Sequence, residues 1–121
     1  MSIDGKELRA IEIQCLNAYL QKPQTSIVDG LEWINIYNPK DSYYPESHER
    51  QCINIALSNT ISCFWDIGAY NGMYALRLAK SGKNVYAFEP NPKSYEILTS
   101  NIKLNKLTIH SNNIALSSWD Y

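Results

Sequence analysis

The sequence has 121 residues, of which 45% are hydrophobic and 19% are charged, and its formal net charge is -1. This length suits one small domain with a modest core, and the composition excludes a disordered or low-complexity chain. Phosphate contacts dominate nucleic-acid binding, and the sequence shows neither a basic surplus nor a cluster of Lys and Arg. We therefore expect no nucleic-acid partner.

The cysteines and the amino-terminal residues indicate the cellular compartment of the protein. Cys15, Cys52 and Cys63 are widely spaced and form no C-x-x-C pair, which indicates reduced core thiols and no metal site. The first residues lack the basic start and apolar run of a signal peptide. No apolar stretch approaches the roughly 20 residues that span a bilayer. We expect a cytoplasmic protein with no metal and no membrane contact.

The first third of the chain predicts a helix followed by a hairpin. Apolar residues recur at helical spacing over 6–21. The Asp29-Gly30 pair then separates two β-rich runs within 27–37, which is typical of a tight β-hairpin. We assign residues 1–44 to this amino-terminal extension.

The remainder, residues 45–121, alternates helices with strands. In chain order the pattern predicts a helix from Pro45, a strand over 62–67 buried on both faces, a helix over 73–80, a strand over 85–88, a helix capped by Asn91, and a strand within 107–116. Such alternation favours right-handed crossovers and a parallel sheet. The predicted fold class is α/β: a truncated Rossmann-like parallel sheet, its first three strands with helices, preceded by the helix and hairpin.

A glycine-containing loop, Asp66 to Gly72, joins the first of these strands to its helix. Ligands of open α/β sheets bind at the carboxyl ends of strands, and Gly68 and Gly72 let the backbone turn sharply there. A dinucleotide site usually has a second glycine where this loop has Tyr70, which disfavours a nicotinamide cofactor. S-adenosylmethionine has no phosphate to cradle, and Asp66 suits its ammonium group and positive sulfur.

Glu89, directly after the second strand, is the other informative residue. An acid at this place can accept hydrogen bonds from both hydroxyls of a ribose. Each residue also has a plain alternative: Asp66 as a cap for the following turn, the glycines as an unliganded tight turn, and Glu89 as a surface acid. The combination favours a cofactor site more than any one member does.

The stretch from Phe64 to about Trp119 resembles the FkbM family of S-adenosylmethionine-dependent methyltransferases, which are mostly O-methyltransferases. The loop from Asp66 to Gly72 is similar to the family's first motif, D-I-G-A-N-x-G, with Tyr70 at the usual Asn. The segment from Val85 to Pro92 matches its second motif almost letter for letter.

The resemblance implies the cofactor S-adenosylmethionine and methyl transfer to a small-molecule or sugar-type acceptor, without identifying a catalytic residue. It places the loop around the methionine part, Glu89 on the ribose, and the remaining residues against the adenine. The implied cofactor-binding residues are Asp66, Gly68, Ala69, Gly72, Glu89, Pro90, Asn91, Ala115 and Leu116. RNA methylation through a separate domain stays open.

By analogy with the family, a complete fold has seven strands, and this chain reaches about the third. Its first strand is then expected to be an uncovered edge, open to a second chain or a second copy. An alternative function follows: a non-catalytic S-adenosylmethionine-binding or interaction remnant that needs a partner chain. A nicotinamide-dependent oxidoreductase is the weaker rival.

Overall fold

The computed structural model describes residues 4–7, 9–11, 24–35, 44–58 and 60–118. Residues 5–7 and 9–11 are helical, and the rest of the helix predicted over 6–21 lies outside the described residues. The elements are β1 (Thr25–Val28), β2 (Leu31–Ile34), α1 (Ser47–Ser58), β3 (Cys63–Ile67), α2 (Met73–Lys80), β4 (Asn84–Phe88), α3 (Pro92–Leu104) and β5 (His110–Asn112). Within those described ranges, no helix is long and apolar enough to cross a membrane.

The hairpin forms as predicted, with β1 and β2 antiparallel and Val28 opposite Leu31. Asp29 and Gly30 both have positive φ angles, 55° and 70°, as the two central residues of a type I′ turn require. The side chains of Asn101 on α3 and of Asn105, which caps the end of α3, bond to the backbone of β2: Asn101 Oδ1 accepts from Ile34 N at 2.8 Å, and Asn105 Oδ1 accepts from Glu32 N at 2.7 Å. The hairpin is therefore docked on α3 by side-chain amides.

The second sheet is parallel, with the strand order β3-β4-β5. This arrangement confirms the predicted α/β fold class. Within the part of the chain that the structure describes, β3 pairs with β4 alone and forms an edge. The third strand is short and ends at Asn112.

The helix ends show why these segments are helical. Asn91 caps α3, because its side chain accepts hydrogen bonds from Lys93 N and Ser94 N. At the end of α2, Gly82 takes a φ of 92° and donates to Ala79 O, the left-handed cap that the sequence predicts. The start of α1 differs from the prediction. Pro45 precedes the helix, which begins at Ser47, and the Glu49 carboxylate accepts the Glu46 N–H at 2.9 Å.

A single buried cluster joins the hairpin to the α/β unit. Burying apolar area of this kind supplies most of the stability of a small domain. Trp33 has no exposed surface, and its indole N–H donates to Val28 O at 3.1 Å. The other members come from β1, β2, the loop after β3, α2, β4 and α3: Val28, Leu31, Ala69, Ala75, Leu76, Leu78, Val85, Ala87 and Leu98.

The opposite face of the parallel sheet corrects one prediction. The strand over 62–67 was expected to be buried on both faces, but Trp65 and Ile67 are 59% and 64% exposed. Among the described residues, helices cover only the face that carries Val85 and Ala87. The uncovered face holds an aromatic row, with the rings of Trp65 and Tyr86 6.0 Å apart. An apolar run shows that a strand is compatible with burial on both faces, whereas its actual burial depends on what packs there.

Candidate functional site

The glycine loop is fixed to the end of β4 by its backbone. The N–H groups of Gly68 and Ala69 both donate to Phe88 O, at 2.8 Å and 3.0 Å. Three loop residues have positive φ angles: Gly68 at 77°, Tyr70 at 53° and Gly72 at 96°. Glycine adopts this conformation without penalty, whereas Tyr70 pays a steric cost for its Cβ. The loop therefore has a defined shape that includes one strained residue.

Glu89 connects the loop to the start of α3. Its side-chain oxygens accept hydrogen bonds from Tyr70 N at 2.8 Å and from Asn91 N at 3.1 Å. Its own carbonyl accepts from the side chain of Asn113 at 2.8 Å. Glu89 is only 7% exposed, so the alternative of a surface acid does not describe it.

Asp66 lies under the first turn of α2. Its Oδ2 accepts the Ala75 N–H at 3.0 Å, and the residue is 8% exposed. Burial raises the pKa of Asp66 from its ordinary value of 3.8 to about 6. The hydrogen bond from Ala75 opposes this change, and the charge of Glu89 adds to it. Asp66 thus bonds to the first turn of α2, as the alternative of a helix-capping acid predicts. Ionising this buried carboxyl group costs free energy, and a bound cation would reduce that cost.

A small apolar cavity lies at the carboxyl ends of the parallel strands. It has a volume of about 190 Å³. A side chain at Gly68 would meet no atom within 4 Å, so the loop leaves open space beside it. The cavity brings together four of the predicted site residues and three others: Gly68, Pro90, Ala115 and Leu116, with Ile67, Phe88 and Ile114. The last three were not predicted as site residues, although Ile67 and Phe88 end the two apolar strands.

The other predicted residues lie around this cavity without lining it: Asp66, Ala69, Gly72, Glu89 and Asn91. Gly72 has a packing role, because a Cβ there would collide with Leu76 and Leu98. The side chain of Asn91 is engaged as the cap of α3. For these two residues the structure supplies a reason other than a ligand.

Asn101 also holds the loop, and the sequence analysis did not single it out. Its Nδ2 donates to Asn71 O at 3.0 Å, and its Oδ1 accepts from Ile34 N at 2.8 Å. It is almost fully buried on α3. A polar residue within an otherwise apolar helical stripe beside Leu98 and Ile102 is the signal that points to it.

The chemical character of the site suits the adenine and the ribose of S-adenosylmethionine. Apolar walls beside Gly68 suit a flat adenine ring, and a carboxylate with lone pairs beyond its two amide contacts suits ribose hydroxyls. Among the described residues, no group of three or more His, Cys, Asp and Glu side chains could share a metal ion. A glycine loop after β3, an acid after β4 and an apolar cavity between them define a Rossmann-like S-adenosylmethionine-dependent methyltransferase domain.

The chain belongs to the TRM5/TYW2 methyltransferase domain family, whose model matches residues 38–118. No curated protein matches the chain significantly. Among solved structures it is similar to TYW2 from P. horikoshii in complex with MeSAdo, with 18% identity and a TM-score of 0.61, covering 77% of this chain and 36% of that one. It is also similar to the tRNA m1G37 methyltransferase from M. jannaschii, with 23% identity and a TM-score of 0.55. The match covers 78% of this chain and 30% of that one.

A third similar structure is the tRNA (uracil-54, C5)-methyltransferase from Pyrococcus abyssi in complex with S-adenosyl-L-homocysteine. Its identity is 18% and its TM-score 0.56, covering 74% of this chain and 23% of that chain. At these identities the structures show the fold. The chain spans 23% to 36% of the length of these three relatives.

These findings confirm the methyltransferase class and the cofactor S-adenosylmethionine. They do not support membership of the FkbM family or an O-methyl acceptor, since the matching family is another one. The prediction of a small-molecule acceptor and no nucleic-acid partner is wrong, because tRNA methyltransferases are among the structures that the chain resembles. A net charge of -1 averages over the whole chain and gives no information on local basic groups.

Proposed function

We propose that this chain carries the cofactor-binding half of an S-adenosylmethionine-dependent methyltransferase that acts on tRNA. The observation that carries the proposal is the family match over residues 38–118. The site supports the cofactor-binding part of the proposal, because the loop, Glu89 and the apolar cavity meet at the carboxyl ends of the strands. The tRNA acceptor is supported by the similarity to tRNA methyltransferases.

Each predicted residue has a distinct part in this proposal. Asp66, Gly68, Ala69 and Gly72 surround the methionine portion, and Glu89 holds the ribose. Four further residues surround the adenine: Pro90, Asn91, Ala115 and Leu116. When bound, the cofactor supplies a methyl group on a positively charged sulfur. The residues of this chain bind and orient it and exclude water from its apolar end.

Glu89 is the residue on which binding depends most. Its carboxylate is already aimed by the N–H groups of Tyr70 and Asn91, so little ordering is left for binding. Two amide contacts leave lone pairs on the same oxygens for ribose hydroxyls. A hydrogen bond to a charged group contributes about 1.5–3 kcal/mol, or roughly tenfold to a hundredfold in affinity.

The binding half of the proposal is tested by calorimetric titration with S-adenosylhomocysteine. We expect saturable binding that falls by about tenfold or more in Glu89→Gln. Glu96→Gln, at an exposed acid of α3, is the matched control and should bind as the unaltered chain does. Thermal denaturation of both variants separates lost binding from lost folding. Absence of binding by the folded chain would refute the proposal.

Turnover is tested separately with labelled S-adenosylmethionine and an unmodified tRNA transcript. Transfer of label to the tRNA, abolished by excess S-adenosylhomocysteine, would support the enzyme. Saturable cofactor binding without transfer would instead favour the alternative function, a non-catalytic binding or interaction remnant that needs a partner chain. The cytoplasmic location and the boundary at residue 44 stay predictions.

A further inference from the structure

A second cavity, of about 300 Å³, lies between α1, α2 and the hairpin turn. Its polar lining is mostly basic: Arg50 comes from α1, Arg77 and Lys80 from α2, and Asp29 from the turn. We call this cavity the basic pocket. The cofactor loop precedes α2 and Lys80 ends it, so about 12 Å of helix separates the two ends. The basic pocket is thus distinct from the cofactor site.

The hairpin turn holds the cations in place. Asp29 Oδ2 accepts from Arg50 at 2.6 Å and from Arg77 Nε at 2.8 Å. The carbonyl of Asp29 accepts from Lys80 Nζ at 2.7 Å. Gly30 makes this possible, because a Cβ there would collide with the Lys80 amine. Three positive side chains from two helices are therefore organised around one residue.

Arg77 is buried, whereas Arg50 and Lys80 face solvent. The Arg77 side chain is 4% exposed, and its guanidinium lies 4.9 Å from the centre of the Trp33 ring. The Arg50 side chain is 40% exposed, and within the described residues one of its five N–H groups is engaged, on Asp29. Lys80 likewise uses one of its three N–H groups on the turn carbonyl, as far as the described residues show. Fixed donors remain available at the cavity.

The charges of the lining favour an anion. Three cations and one carboxylate leave the basic pocket with a net charge of about +2, although the whole chain carries -1. The hydrogen bonds that hold Arg50 and Lys80 lower the entropic cost of using them again for a ligand. A phosphate group matches this combination of a planar guanidinium and an ammonium.

We propose that the basic pocket binds a backbone phosphate of an RNA acceptor, with Arg50 and Lys80 as the contacting residues and Asp29 and Arg77 as their frame. This inference rests on the proposed tRNA acceptor and adds a docking site for it away from the cofactor. Phosphate contacts position a nucleic acid without reading its sequence. The pocket would thus fix the tRNA backbone relative to the cofactor loop.

The test compares tRNA binding by the full chain and by its variants across salt concentrations. For Arg50→Gln and Lys80→Gln combined, we expect weaker binding to an unmodified tRNA transcript and a salt slope smaller by between about 1 and 2. Lys103→Gln, at an exposed lysine of α3, is the matched control and should leave the slope unchanged. Circular dichroism verifies that all variants fold.

Several outcomes would overturn the inference while leaving the cofactor proposal intact. Equal losses in the Lys103 control would mean diffuse attraction without a site. Normal tRNA binding by the double variant would mean that the basic pocket is structural. Inorganic phosphate is the second probe: saturable phosphate binding lost in the double variant, with tRNA binding unaffected, would assign the site to a free anion. No tRNA binding by the unaltered chain would refute the acceptor proposal itself.

Discussion

Replacing Asp66 with asparagine removes a buried carboxyl group while keeping an oxygen that can accept the Ala75 N–H. The pKa of Asp66 is raised from 3.8 to about 6, chiefly by burial. Each tenfold change in proton affinity corresponds to about 1.4 kcal/mol, so ionisation of Asp66 costs the folded chain about 3 kcal/mol at neutral pH. The sign follows from the raised pKa. The stability that protonated Asp66 contributes is fully present below pH 3.8 and is lost as the pH rises through about 6.

The assay is urea denaturation of both chains at pH 4, 5, 6 and 7.5. The difference in unfolding free energy between the two chains at each pH cancels the other titrating groups, and the change of this difference with pH cancels the fixed cost of burying an amide. Between pH 4 and pH 7.5 this difference should move by about 2 to 3 kcal/mol in favour of Asp66→Asn. A difference that stays constant across this range would refute the buried, ionised placement of Asp66.

Asp29→Asn is the matched control: it makes the same substitution at a carboxyl group whose pKa is shifted in the opposite direction. Burial raises the pKa of Asp29, but hydrogen bonds from Arg50 and Arg77 outweigh it and the net pKa is lowered. Its stabilising contribution is present above pH 3.8 and is lost as the pH falls through the lower folded-state pKa. The deficit of Asp29→Asn should therefore shrink towards acidic pH.

The same Asp66 variant decides between the two functions of this acid. If Asp66 neutralises the cofactor's ammonium group, Asp66→Asn should bind S-adenosylhomocysteine about tenfold more weakly at pH 7.5 although its fold is no less stable. Unchanged affinity would leave Asp66 as the cap of α2 alone.

Three further predictions concern the loop. Gly72→Ala should destabilise the chain by more than Gly68→Ala, since both residues have positive φ angles but only a Cβ at Gly72 collides with core side chains. Urea denaturation measures the stability of both variants. The affinity for S-adenosylhomocysteine should fall in the folded Gly68 variant. Tyr70→Asn should raise stability by about 1 kcal/mol, because asparagine tolerates the left-handed region better; an unchanged or lower denaturation midpoint would contradict this. Asn101→Leu should weaken cofactor binding beyond its effect on folding, whereas Asn105→Leu, which breaks contacts to β2 and to the carbonyl of Asn101 but none to the glycine loop, should not; equal losses in calorimetry would remove the distinction.

Local signals made much of the fold predictable. The Asp29-Gly30 pair requires two positive φ angles in a hairpin turn, and both occur. Asn91 followed by Pro92 is a strong helix start, and α3 begins there. The order of strand, glycine loop, helix, strand and acid restricts the topology to a parallel sheet with a ligand edge. These features depend on neighbours in sequence, so one sequence suffices to predict them.

The features that the sequence could not supply depend on distant residues. Trp65 is apolar but 59% exposed, because the burial of a strand residue depends on what packs against it from elsewhere in the fold. The basic pocket combines side chains from the turn, α1 and α2, so no local cluster of charged residues in the sequence predicts it. For the same reason a whole-chain charge led to the wrong exclusion of nucleic acid. The position of Glu89 after a strand is visible in the sequence, but its contact with the N–H of Tyr70, 19 residues earlier, arises only when the loop folds.

The loop explains why a strained residue persists at this site. Gly68 and Ala69 are anchored on β4, Tyr70 donates to Glu89, and the carbonyl of Asn71 is held by Asn101. Four consecutive backbone units are thus fixed before any ligand arrives. The strain of Tyr70 costs about 1–2 kcal/mol, and its N–H aims the carboxylate that would hold the ribose. Because Asn101 also bonds to β2, the position of the hairpin is coupled to the shape of the cofactor loop.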